Sequence, residues 1–168
     1  MSSGPATPTA TGLPQPPPKD TEVLDFEIVE ERWNEYELAD ETKLRARIIL
    51  TRVMRPRFGP TGQFGFSFES FFRVTAPREK RGEQMQIPAR EEWAALPKEP
   101  VRITTTNEPW NRYRIPETGD VIQLKLVVSE VFRVKDRFDQ FGEPFYMVTS
   151  GPLIEPATKG SLRIGLQR

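Results

Sequence analysis

Trp33-Asn34-Glu35-Tyr36-Glu37-Leu38 recurs 77 positions later as Trp110-Asn111-Arg112-Tyr113-Arg114-Ile115. A turn follows each copy and leads into a long segment of alternating apolar residues, Leu44 to Arg55 and Ile122 to Arg133. A second turn, carrying Gly62 or Gly142, precedes an aromatic segment. Self-similarity of this kind constrains architecture more tightly than composition does. It predicts a duplicated β-unit, with one copy over about 23–77 and the other over about 101–156.

The correspondence extends beyond the motif. Ala46, Ile48, Leu50, Val53 and Arg55 match Leu124, Leu126, Val128, Val131 and Arg133, and Phe58, Gly62 and Phe66 match Phe138, Gly142 and Tyr146. The offset grows only where turns are expected, because loops absorb length changes and strand register does not. Both long segments also break step at one place. Alternation through Leu44, Ala46, Ile48 and Leu50 resumes at Val53, and alternation through Val128 resumes at Val131. A β-bulge near Thr51-Arg52, and another in the second copy, would restore the inward face.

Period-2 alternation also places a strand over Leu24, Phe26 and Ile28, with Val101 to Thr105 in the same role in the second unit. Phe64 to Phe72 reads as the return strand of a hairpin, and Pro144 to Ser150 as its counterpart. Leu162 to Leu166 reads as a short closing strand. One short helix is expected over 88–96, with acids in its first turn and Pro97 as its stop. The fold class is therefore all-β, mainly antiparallel, with one short helix. The duplicated unit would form a barrel or a sandwich with pseudo-twofold symmetry, and pattern alone leaves these two open. The domain reading is a single β domain over 23–168. Ahead of it, 1–22 is a Pro-rich tail with almost nothing apolar to bury, expected to be disordered.

The chain of 168 residues has no cysteine and no histidine. Disulfides and thiolate metal sites are excluded, and the commonest general acid/base and neutral metal ligand are missing. No nucleophile elbow, phosphate-cradling loop or metal-ligand spacing replaces them. The expectation is a protein that is not an enzyme, with no cofactor and no metal. No run reaches the roughly 18 apolar residues of a membrane span. Without a secretory signal pattern, the expected location is cytoplasmic.

The formal net charge is zero, with 24 basic and 24 acidic residues, but the charge is segregated. Asp25, Glu27, Glu30, Glu31, Glu35, Glu37, Asp40 and Glu41 crowd one stretch. Lys43, Arg45, Arg47, Arg52, Arg55 and Arg57 follow without an acid between them. Cross-strand pairing on one exposed face accounts for this pattern. A phosphate-binding footprint centred on Arg52, Arg55 and Arg57 is the alternative, extended in the second copy by Arg133, Lys135 and Arg137. Gly62-Gln63-Phe64-Gly65-Phe66-Ser67-Phe68 resembles the RNP1 motif of RNA-recognition and cold-shock domains. That resemblance implies base stacking on Phe64 and Phe66. Thr61 stands where the motif carries a basic residue, and the two-helix layout of an RNA-recognition domain is missing.

The leading functional expectation is a non-enzymatic binding or assembly module acting through an exposed β-surface. It would be a subunit or accessory protein of a larger complex, with a protein partner or homo-oligomer. The alternative is a single-stranded nucleic-acid-binding β-barrel using Arg52, Arg55, Arg57, Phe64, Phe66, Arg133, Lys135 and Arg137.

Overall fold

The computed structural model describes residues 20–58 and 64–157. The Pro-rich segment up to residue 19, Gly62 and the proposed strand over 162–166 lie outside them. Ten strands follow in order: β1 (Thr21–Leu24), β2 (Glu27–Glu30), β3 (Asn34–Leu38), β4 (Lys43–Pro56), β5 (Gly65–Thr75), β6 (Lys98–Pro100), β7 (Ile103–Asn107), β8 (Asn111–Arg114), β9 (Val121–Phe138) and β10 (Pro144–Ala157). All their pairings are antiparallel. The expected helix is a 3₁₀ segment over Arg90–Ala95, and a second 3₁₀ turn covers Arg78–Lys80. Both are too short to gain from cooperative α-helix propagation.

The strands form two five-stranded sheets. In the first, β5 runs along β4 from residue 43 to residue 54. β3 and β1 share the other side of β4, at residues 43–46 and 53–56, and β7 lies outside β3. In the second sheet β10 runs along β9. β8 and β6 share the other side of β9, at residues 121–124 and 132–134, and β2 lies outside β8. β5 and β10 therefore end their sheets without joining, so the barrel alternative fails: no closed barrel forms.

The long strands behave as their patterns require. Leu44, Ala46, Ile48, Leu50 and Val53 are buried, as are Ile122, Leu124, Leu126, Val128 and Val131, and all belong to one core shared by the sheets. The ladder between β4 and β5 slips between Leu50 and Arg52, and the ladder between β9 and β10 slips opposite Ser129. Both are bulges of the expected kind, each keeping the inward face continuous past the step. The single strand expected through Leu24, Phe26 and Ile28 is instead two. β1 ends at the buried Leu24, and the chain crosses to the other sheet, where Ile28 of β2 is 61% exposed.

Gly142 closes the turn from β9 to β10 at φ +79°, a conformation that L side chains rarely adopt. Its Cβ position would lie 2.6 Å from the Gly82 carbonyl oxygen, and Gly82 N–H donates to the Gly142 carbonyl at 3.0 Å. Gly142→Ala should lower stability by about 2–3 kcal/mol, read as a lower urea midpoint at unchanged m-value. An unchanged midpoint would show that this turn does not need glycine.

Candidate interaction surface

The repeated Trp-Asn-x-Tyr turns inward as a backbone clasp. Between β3 and β1 one side of β4 has, among the described residues, no strand beside it, and Asn111 and Tyr113 reach in from the other sheet to fill the gap. Asn111 Nδ2 donates to the Ile48 carbonyl at 2.8 Å, and Tyr113 Oη accepts from Leu50 N–H at 3.2 Å. The gap on β9 between β8 and β6 is filled from the first half. Asn34 Nδ2 donates to the Leu126 carbonyl at 2.7 Å. Buried backbone groups must be paired, and here side chains supply what a continuous strand would have supplied. The sequence suggests that these asparagines bond turn backbone; their carbonyl partners are strand residues of the opposite sheet.

A carboxylate completes each clasp. Tyr113 Oη donates to Glu31 at 2.7 Å and Tyr36 Oη to Glu108 at 2.9 Å. Val128 N–H donates to the same Glu108 oxygen at 3.2 Å. Burial, reinforced by the neighbouring carboxylate, pushes both phenols well above their ordinary pKa. Tyr146 is raised for the same two reasons, donating to Asp40 while its oxygen meets Thr42 Oγ1 at 2.9 Å. Burial alone would raise the Asp40 carboxyl, but hydrogen bonds from Tyr146 and Thr42 outweigh it and hold Asp40 below the usual range. Sequence reasoning saw Glu31 only as one of the acidic run and missed Glu108, although Glu31 stands three residues before Asn34 and Glu108 three before Asn111, again 77 positions apart.

The segregated charges meet across strands and across halves. Arg45 pairs with Glu35 at 3.3 Å, Arg47 with Glu31, and Arg55 with both Glu22 and Glu117. The acids of β2 pair with β8 instead: Glu30 binds Arg112 at 2.7 Å and Glu27 binds Arg114. Of the candidate contact residues, Arg55 is thus held between two carboxylates. Arg52 is half-buried, Arg57 is exposed, and Phe64 and Phe66 pack partly buried against the core. Arg133 borders a cleft of about 360 Å³ with Asp40, Glu99 and Arg102, while Lys135 and Arg137 are exposed. The pair Arg55–Glu117 sets the end of β4 beside the turn preceding β9, whereas Arg133 to Arg137 close β9. At roughly 3.3 Å per residue, the two basic groups lie on the order of 40 Å apart. The structure does not bring them together.

What remains open is an edge. β5 has eleven residues, no proline and, among the described residues, one side of its backbone without a strand partner. Phe68, Phe71 and Phe72 on it are 37%, 45% and 41% exposed. Phe71 also borders a largely apolar cleft of about 460 Å³, with Phe26, Ile28, Trp33 and Ile49, where Arg47 lies over the Trp33 ring. The matching edge, β10, carries Pro144, Pro152 and Pro156, and proline cannot donate to an added strand. Among the described residues no helix is long and apolar enough to cross a membrane. No protein-family model, curated protein or solved structure matches the chain.

Proposed function

We propose that this protein is a non-enzymatic binding or assembly module, a subunit of a larger complex, built from two copies of one β-unit and joined to its partner along β5. The open edge carries the reading. A long strand without proline, bearing three half-exposed phenylalanines, is the surface that soluble proteins ordinarily blunt, cover or use. Strand addition along such an edge supplies backbone hydrogen bonds for affinity and side-chain contacts for specificity.

Two observations support the duplication. The strand orders correspond term by term, with β1, β3, β4 and β5 standing to β7 as β6, β8, β9 and β10 stand to β2. Each unit also lends a strand and an Asn/Tyr pair to the other, whose own glutamate receives the tyrosine. On this reading the clasps are shared scaffold. The copies differ functionally at their edges, one with phenylalanines and the other with prolines.

Light scattering of the purified chain and a nuclease-treated native pull-down, each with Phe71→Glu alongside, test the proposal. Glutamate at 71 would stand opposite Arg47 within the sheet, so the variant should fold. The expected result is an assembly that Phe71→Glu dissolves while circular dichroism is unchanged. A lone monomer that captures nothing would overturn the reading. Retention on single-stranded RNA or DNA that falls steeply with salt, and is indifferent to Phe71→Glu, would replace it with nucleic-acid binding.

A further inference from the structure

We infer that the strand added to β5 is β5 of a second copy, paired antiparallel about a twofold axis through Phe71. This deepens the assembly reading and rests on it.

The argument comes from the charges on the strand. Side chains alternate, so Glu69, Phe71 and Arg73 share the outward face, and Phe66, Phe68, Phe72 and Val74 share the face toward the core. Within one chain the outward charges are poorly placed. Glu69 stands opposite Ile49, and Arg73 stands opposite Arg45, which is itself paired with Glu35. Among the described residues neither Glu69 nor Arg73 has an ion-pair partner.

Antiparallel pairing of the strand with itself offers three registers about its middle that keep the faces matched, and the one centred on Glu69 sets the two Glu69 carboxylates against each other. Centred on Ser70, it sets Glu69 against Phe71 and Arg73 against Ser67, so both charges stay unpaired. Centred on Phe71, it sets Glu69 of each copy against Arg73 of the other, twice by symmetry. The two Phe71 rings then meet on the axis. Phe68 faces Val74 and Ser70 faces Phe72 on the core side, where the rings of Phe68 and Phe72 reach one another diagonally. Charge complementarity selects the register centred on Phe71. The result is a ten-stranded sheet continuous through both copies, with the apolar cleft beside Phe71 extended across the axis.

Charge reversal with rescue is the decisive test, read as the dimer dissociation constant by sedimentation equilibrium of the full chain. Glu69→Arg and Arg73→Glu should each weaken the dimer about tenfold or more, since each turns two attractions into repulsions. The double variant Glu69→Arg/Arg73→Glu should restore it. Because the chain has no cysteine, Phe71→Cys gives an independent reading. Mild oxidation should yield a covalent dimer in high fraction, with Phe58→Cys, at 81% exposed, as the collisional control. A monomer with no cross-link above that control overturns the inference, as does a dimer insensitive to either reversal. If the single reversals and Phe71→Glu abolish capture of another protein and the double variant does not rescue it, the second copy is wrong as occupant while the assembly reading stands. If β5 variants change neither self-association nor capture, both fail.

Discussion

Raising the pH above 10 should unfold this protein cooperatively, with its tyrosines ionising only as it unfolds. The chain has three tyrosines, Tyr36, Tyr113 and Tyr146, and all are buried. Each donates its phenolic hydrogen to a carboxylate: Glu108, Glu31 and Asp40 respectively. Desolvation is the largest cause of the raised pKa in every case, and the acceptor carboxylate adds to it. A phenolate formed in place would be a buried charge facing a second negative charge. The folded pKa therefore lies above the unfolded value near 10, and the contribution to stability is complete below pH 10. Above it the unfolded chain releases protons that the folded chain retains, so stability falls as pH rises. One group costs about 1.4 kcal/mol per pH unit, and three together cost on the order of 4 kcal/mol per unit. A stability of the order of 5–15 kcal/mol disappears within a few units at that slope. Tyrosinate absorbance and far-UV circular dichroism, followed together through an alkaline titration, should change in one transition. Tyrosine ionisation centred near pH 10 with the dichroism intact would show that the clasps open without unfolding.

These tyrosines also mark where the sequence was legible. Periodicity exposed the inward faces of β4 and β9, and the breaks at Thr51 and Ser129, because burial repeats every second residue wherever one face is covered. It could not show that the chain changes sheets between Leu24 and Glu27. The apolar residues on either side of that crossing, Leu24 and Ile28, keep the alternation of a single strand while only Leu24 is buried. The acidic and basic runs were visible as runs, but sequence proximity suggested partners only within one hairpin. Glu27 and Glu30 find theirs in Arg114 and Arg112, more than eighty residues on. The repeat named Asn34 and Asn111 without naming their acceptors, since a gap beside β4 or β9 is a property of the sheet and not of any local pattern. The β5 edge has a clear signature, proline in one return strand and none in the other. It acquires meaning only once both strands are known to be edges.

Asn111→Ala should be among the most destabilising single changes in the chain, and Asn34→Ala nearly as costly. Asn111 is 1% exposed and makes two bonds, donating to the Ile48 carbonyl and accepting from Arg32 N–H at 2.8 Å. Truncation strands the buried Ile48 carbonyl, at about 1–3 kcal/mol for an unsatisfied buried group, and removes the part-buried bond to Arg32 N–H, at about 0.5–1.5 kcal/mol. The expected loss is therefore about 2–4 kcal/mol, seen as a lower urea midpoint with the m-value unchanged. Asn34 donates to the Leu126 carbonyl and to Tyr36 Oη at 2.9 Å, so its loss leaves one backbone group unpaired and Tyr36 still held by Glu108. Asn111→Asp separates polarity from shape. It retains the acceptor for Arg32 N–H but turns a carboxylate oxygen toward the Ile48 carbonyl, so it should be at least as harmful as alanine despite being isosteric. Ile28→Ala on the exposed face of β2 supplies the scale for a change that should matter little. If Asn111→Ala moves the midpoint no further than Ile28→Ala, water must enter the gap beside β4 and pair the stranded groups, and the asparagine clasp would not be what binds one sheet to the other. If the two asparagine variants combine with a loss smaller than their sum, opening one clasp has already loosened the other, as reciprocal bonds between the same two sheets require.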